Sequence, residues 1–352
     1  MRFAITVSAG MLLSGTASAE PLAIGVSAPL SGSSAILGAQ VLEGASAAAG
    51  TATLEIADDA CTAAGGAEAA RQFVEAKVRV VVGFLCTEAI EAALPILKEA
   101  GIPVITVGVR TDSLTDRREK TGWPVFRLGP RADGENAAVA AILPKLWRDK
   151  LFAIIDDGTI YGRELAESVR AAAEQAALKP VFVDNFRPQM DNQVGLVGRL
   201  RRAGATHVFV GGDREDVAIM ARDAAAVDAD IIFAGGEALR AAPGDVPLAE
   251  GTLMIGLPEW SEIASKESLA VLRERQTAPD GYVLPAFAAV EIARAALADA
   301  DATGKTPGDI LAEGEFKTAI GPVRFDDKGD LADNPYRAFR YGGERFVPLG
   351  DE

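Results

Sequence analysis

Val78-Arg79-Val80-Val81-Val82-Gly83-Phe84-Leu85-Cys86-Thr87 is an apolar run that ends in a cysteine and a hydroxyl. A helical pattern follows over Thr87 to Glu99, then a second short run from Pro103 to Val107. Such runs, bounded by Gly and Pro and separated by a helix, are what a parallel sheet covered on both faces requires. Upstream, Leu22 to Ala28 and Leu54 to Ala57 read as strands, and Leu37 to Ala49 and Gly66 to Ala76 as helices. Regular alternation implies right-handed βαβ crossovers.

The pattern restarts after Pro130. Helices are predicted over Ala132 to Trp147, Gly162 to Ala176, Val194 to Ala203 and Asp216 to Ala226. Strands are predicted at Leu151 to Ile155, Pro180 to Asn185, His207 to Val210 and Ile231 to Ala234. Leu253 to Leu257 then leads to helices over Ser265 to Glu274 and Pro285 to Ala300. Val323-Arg324-Phe325 and Ala338 to Tyr341 read as a closing hairpin with Asp326 to Asp330 in its turn, and Thr303 to Gly308 as a flexible loop. The expected fold class is α/β, with two doubly wound, Rossmann-like lobes.

A chain of 352 residues is too long for one compact core and suits two α/β domains. Its 50 acids outnumber 35 bases, for a formal charge of −15, which argues against nucleic acid or anionic membrane as partners. Met1-Arg2, the apolar stretch from Phe3 to Leu13, and Ala17-Ser18-Ala19 read as a signal peptide cleaved after Ala19. No later stretch is long enough to span a bilayer. The expected product is exported and soluble, most simply periplasmic.

Cys61 and Cys86 are the only cysteines, and each closes a strand pattern. In an oxidising compartment a lone pair reads as a disulfide stapling neighbouring strand ends; two free thiols or a redox pair are the alternatives. Other motifs fail. Gly304-Lys305-Thr306 resembles the end of a phosphate loop, but Asp299 stands where its first glycine should be. The acidic turn at Asp326 has Arg337, not glutamate, at its twelfth position, so it reads as a plain turn. His207 is the only histidine, which leaves no tetrahedral zinc set and favours a structural role. No catalytic group, metal or cofactor is expected.

Ligands of open α/β sheets bind outside the carboxyl ends of the strands. The loops there are rich in glycines and hydroxyls and carry a few charges. They include Thr87, Gly108-Val109-Arg110, Tyr161, Gly211-Gly212-Asp213 and Gly235-Gly236-Glu237. Helix N-termini after Thr87 and Arg110 suit a carboxylate, and Asp213 and Glu237 suit an ammonium group. A zwitterion would span the two lobes.

The chain resembles the periplasmic leucine/isoleucine/valine-binding protein family of ABC importers. The matching stretches include Ala28-Pro29-Leu30-Ser31-Gly32, Asp58-Asp59-Ala60-Cys61, Gly83-Phe84-Leu85-Cys86-Thr87, Tyr161-Gly162-Arg163-Glu164-Leu165 and Gly321-Pro322-Val323-Arg324-Phe325. Their order and spacing carry the likeness. It implies a type I periplasmic binding fold with three crossings between lobes. The N-terminal lobe would take residues 20–130 and 258–332, and the C-terminal lobe 131–257 and 333–352. It also implies that Cys61 and Cys86 pair, that Thr87 and the backbone near Gly108 hold the ligand carboxylate, that Glu237 takes the ammonium, and that Tyr161 lies beside the ligand. At three positions the chain departs from the family pattern: Arg110 replaces a small hydroxyl, Asp213 a tyrosine and Leu37 an aromatic. Arg110 could clamp a carboxylate, bridge to Asp213 on closure, or point to solvent. The implied function is capture of a small polar ligand, an amino acid of the branched-chain type, by a monomer that delivers it to a membrane permease. A periplasmic sensor, or a binder of another carboxylate or an amide, is the alternative.

Overall fold

A computed structural model of the chain describes residues 22–350. The expected signal peptide and its cleavage point lie outside the described residues. The order is β1 Ala23–Ala28, α1 Ala35–Ala48, β2 Thr53–Asp58, α2 Ala63–Glu75, β3 Val80–Gly83, α3 Thr87–Glu99 and β4 Val104–Thr106. Two helical turns, α4 Ser113–Asp116 and α5 Arg118–Thr121, lead to β5 Val125–Arg127. Then come α6 Gly134–Leu146, β6 Phe152–Asp156, α7 Ile160–Gln175, β7 Phe182–Asn185, α8 Val194–Arg202, β8 His207–Gly211, α9 Arg214–Ala226, β9 Ile232–Gly235 and β10 Leu253–Gly256. The chain closes with α10 Trp260–Ile263, α11 Lys266–Glu274, α12 Val283–Thr303, α13 Pro307–Glu313, β11 Glu315–Thr318, β12 Gly321–Arg324, β13 Arg337–Tyr341 and β14 Phe346–Pro348.

The first sheet is parallel, in the order β2-β1-β3-β4-β5. Val80 to Val82 are fully buried because helices cover both faces. Val80 and Val82 face a core built with α1 and α12. Val81 faces the opposite core, built with α2 and α3. Gly83, at φ +111°, has no room for a side chain, since a Cβ there would lie 2.1 Å from the Ser27 carbonyl oxygen. The second sheet runs β14-β13-β10-β9-β8-β6-β7, with β13 and β14 antiparallel at its edge. Ile154 and Phe209 pack on α6 and α7, whereas Ala153 and Val208 pack on α8 and α9. The chain passes between the sheets after β5, after β10 and before β13.

Three expectations are corrected. The predicted closing hairpin does not form: β12 pairs with β11, whereas β13 pairs with β10 and β14 in the other sheet. The loop after Thr303 is largely taken up by a helix start, because Thr306 and Asp309 form a capping box on α13. The disulfide does join Cys61 to Cys86. It does not staple adjacent strands, however, because β1 lies between β2 and β3. Left-handed Ala60 and Cys61, at φ 46° and 54°, turn the chain back across the end of β1. There the Asp59 amide donates to the Ala28 carbonyl over 3.1 Å and the Ser27 hydroxyl donates to Asp59 over 2.8 Å.

Across a sequence separation of 25 residues, the chain-entropy model gives this cross-link about 3–4 kcal/mol of stability. Cys61→Ser/Cys86→Ser is therefore expected to lose that amount in urea unfolding. An unchanged midpoint would show that the loop is already held by its hydrogen bonds.

Candidate functional site

Each sheet ends in loops that face a cleft at the carboxyl ends of its parallel strands. On the first wall, Thr87 opens α3, and its hydroxyl lies 2.9 Å from that of Thr111. Gly108 and Arg110 follow β4. Both line a cavity of about 300 Å³ walled by Val107, Leu257, Trp260, Tyr282 and neighbouring apolar side chains. Arg110 is the only charged residue lining it. The guanidinium is exposed, and it donates one hydrogen bond of 2.6 Å to the buried Tyr336 hydroxyl, which belongs to the last crossing. It bridges to neither acid expected on the second wall.

The loop that carries Arg110 is held from beneath. Fully buried Arg127 donates to the Val109 and Thr111 carbonyls at 3.2 and 2.9 Å and to the Thr115 hydroxyl at 2.6 Å. Its charge is met by Asp330 at 2.7 Å, and Asp330 also takes Arg131 at 2.7 Å. Residues on both sides of the first crossing thus converge on one aspartate that precedes the last.

The second wall centres on Glu135, in the first turn of α6 and only 8% exposed. One of its carboxylate oxygens accepts the Tyr161 hydroxyl at 2.8 Å and the Glu237 amide at 2.6 Å. Burial pushes the Glu135 carboxyl upward; those two donors and the Arg110 charge across the cleft oppose the shift. Burial and the Glu135 charge drive the Tyr161 hydroxyl strongly upward, so it stays a donor. A Cβ at Gly236 would lie 2.2 Å from the Glu135 oxygen and 2.6 Å from the Tyr161 hydroxyl, so only glycine allows this approach.

Glu237 is not a free carboxylate. It accepts Arg240 at 2.7 Å on one oxygen and the Leu257 amide at 2.6 Å on the other. Arg240 also reaches Glu259 at 3.0 Å, so one guanidinium is shared between two carboxylates. Asp213 caps its own helix, accepting the Asp216 amide at 3.0 Å. Leu37 stands 38% exposed in the first turn of α1. Gly108 with Arg110, and Tyr161 with Glu237, are thus brought together in two groups. Glu135, Tyr336, Tyr282 and Arg240 complete the walls without having been singled out in the sequence. His207 is structural: its ring lies 2.9 Å from the Thr206 hydroxyl and edge-on to Trp147.

The family model described as periplasmic binding protein matches residues 21–345. The chain belongs to the periplasmic binding protein family. This family member is 29% identical over 348 residues to the Leu/Ile/Val-binding protein homolog 3 of Brucella melitensis, covering 93% of each chain. Its fold is similar to that of a solved Rhodospirillum rubrum protein, with a TM-score of 0.75 at 18% identity over 94% of this chain and all of the other. It is also similar to the ABC transporter substrate-binding protein of Desulfitobacterium hafniense solved with Leu, with a TM-score of 0.63 at 22% identity over 94% of this chain and all of the other. In this periplasmic binding protein strand order reverses between β1 and β3 in one sheet and between β6 and β8 in the other, the place where open α/β sheets hold their ligands.

Proposed function

We propose that this protein captures a branched-chain-type amino acid between its two lobes in the periplasm and delivers it, as a monomer, to the permease of an ABC importer. The observation that carries this reading is the opposition of charge across the cleft. Arg110 is the one charged residue lining the apolar cavity, and the carboxylates of Glu135 and Glu237 lie on the opposite wall, Glu237 paired with Arg240. Arg110 takes the ligand carboxylate in a two-pronged bond, with Thr87 and the backbone near Gly108 beside it. The ammonium faces Glu237 and Glu135, and Tyr161 lies alongside. The aliphatic side chain enters the apolar cavity at the hinge. Each lobe supplies charge that the ligand meets fully only when the lobes approach, so binding shifts the equilibrium toward closure. Binding and release are the whole cycle; no bond is made or broken.

Small-angle X-ray scattering with and without leucine tests this. The radius of gyration is expected to fall on saturation. An unchanged profile with leucine, isoleucine and valine alike would reject capture of these amino acids. A second reading is favoured by the cavity itself, whose only charged lining residue is Arg110: an apolar carboxylate without an ammonium would fill it. Closure by 4-methylpentanoate but not by leucine would assign that ligand instead.

A further inference from the structure

A second cavity lies outside the cleft, in a groove between α6 and β13. Its volume is about 690 Å³, more than twice that of the cavity at the hinge. Lys145, Lys150, Arg337 and Arg340 line it, and among the described residues no aspartate or glutamate does. None of these four side chains makes an ion pair or hydrogen bond among the described residues. That is unusual company in a chain with 50 acids and 35 bases. Lys145 lies in the last turn of α6, where a helix dipole favours a cation. No such dipole accounts for Arg337 and Arg340, which lie on a strand.

The floor between the cations is apolar. Ile142 and Leu146 recur at helical spacing on α6, and Ile232 and Leu253 are the first residues of β9 and β10. Leu146 and Ile232 remain 39% and 38% exposed there. Trp147 lies in the same wall, and its indole N–H has no hydrogen-bond partner. A concave surface that gathers one sign of charge raises the local concentration of the opposite ion. An apolar floor with a few charged groups at its rim is the usual form of a small-molecule site.

We propose that this groove is a second binding site, for a small organic anion with an apolar body. Its anionic group would relieve the mutual repulsion of the four cations, and its body would cover the exposed leucine and isoleucine. It is independent of the ligand held in the cleft.

The test is a fluorescence titration of the intact protein with 8-anilinonaphthalene-1-sulfonate. Lys145→Gln/Arg340→Gln is expected to weaken dye binding at least tenfold with unchanged thermal unfolding. Arg110→Ala, which removes the cation of the cleft and touches this groove only through its bond to the Tyr336 hydroxyl, is expected to leave dye binding as in the wild type. Equal affinity for wild type and the double variant would overturn the proposal. So would loss of dye binding in Arg110→Ala, which would place the dye in the cleft. Decanoate and phosphatidylglycerol vesicles then serve as competitors. Displacement by decanoate assigns a free amphiphile and displacement by vesicles a membrane lipid, both through this site; displacement by neither contradicts it.

Discussion

Asp330→Ala is expected to destabilise the protein by about 3–5 kcal/mol, the usual result of removing one partner of a buried ion pair. The guanidinium of Arg127 is fully buried, and among the described residues Asp330 is the only acid that pairs with it. Without that carboxylate the charge is left in the core with only carbonyl and hydroxyl acceptors. Urea unfolding checks the size of the loss. A control separates charge from packing. Arg127→Met/Asp330→Leu removes both charges, and it is expected to be less destabilised than Asp330→Ala because no unpaired ion remains. If the double variant were the worse of the two, the pair would be stabilising in its own right. The same substitution is expected to loosen the Val109 to Thr115 loop, and with it the position of Arg110.

Arg110→Ala is expected to weaken binding of the cleft ligand by about 2–4 kcal/mol, or about 30- to 1000-fold in Kd. The side chain is exposed and has a single hydrogen bond, so its removal is expected to leave the fold intact. Its value appears on closure, when water is excluded and a charge-assisted pair gains strength. Arg110→Lys keeps the charge but loses the planar fork, so an intermediate loss is expected. Calorimetry with leucine measures both variants. Wild-type affinity in Arg110→Ala would move the guanidinium out of the binding site.

The doubly wound lobes were legible because Val80-Val81-Val82 and its counterparts are apolar on both faces, which only a covered parallel strand demands. The partner of β13 was not. Arg337 to Tyr341 alternates as any half-buried strand does, and only the last crossing decides which sheet it joins. β11 was missed because Glu315-Phe316-Lys317-Thr318 is short and half exposed. In the candidate site, Gly108, Arg110, Tyr161 and Glu237 could be found by counting from strand ends. Glu135 could not: an acid in the first turn of a helix is ordinary, because the dipole there favours it. Only the approach of β9 through Gly236 buries it. Asp330 read as part of a polar turn, and nothing local showed that Arg127 waits for it from 203 residues away.

The central claim is that the cleft recognises both ends of a zwitterion, one on each lobe. Calorimetric titration of the wild-type protein with leucine, 4-methylpentanoate and isopentylamine separates the two ends. Leucine is expected to bind, with each analogue at least about tenfold weaker for want of one charged hydrogen-bonding group. Equal affinity for 4-methylpentanoate and leucine would show that the acids of the second wall hold no ammonium, and would contradict the account.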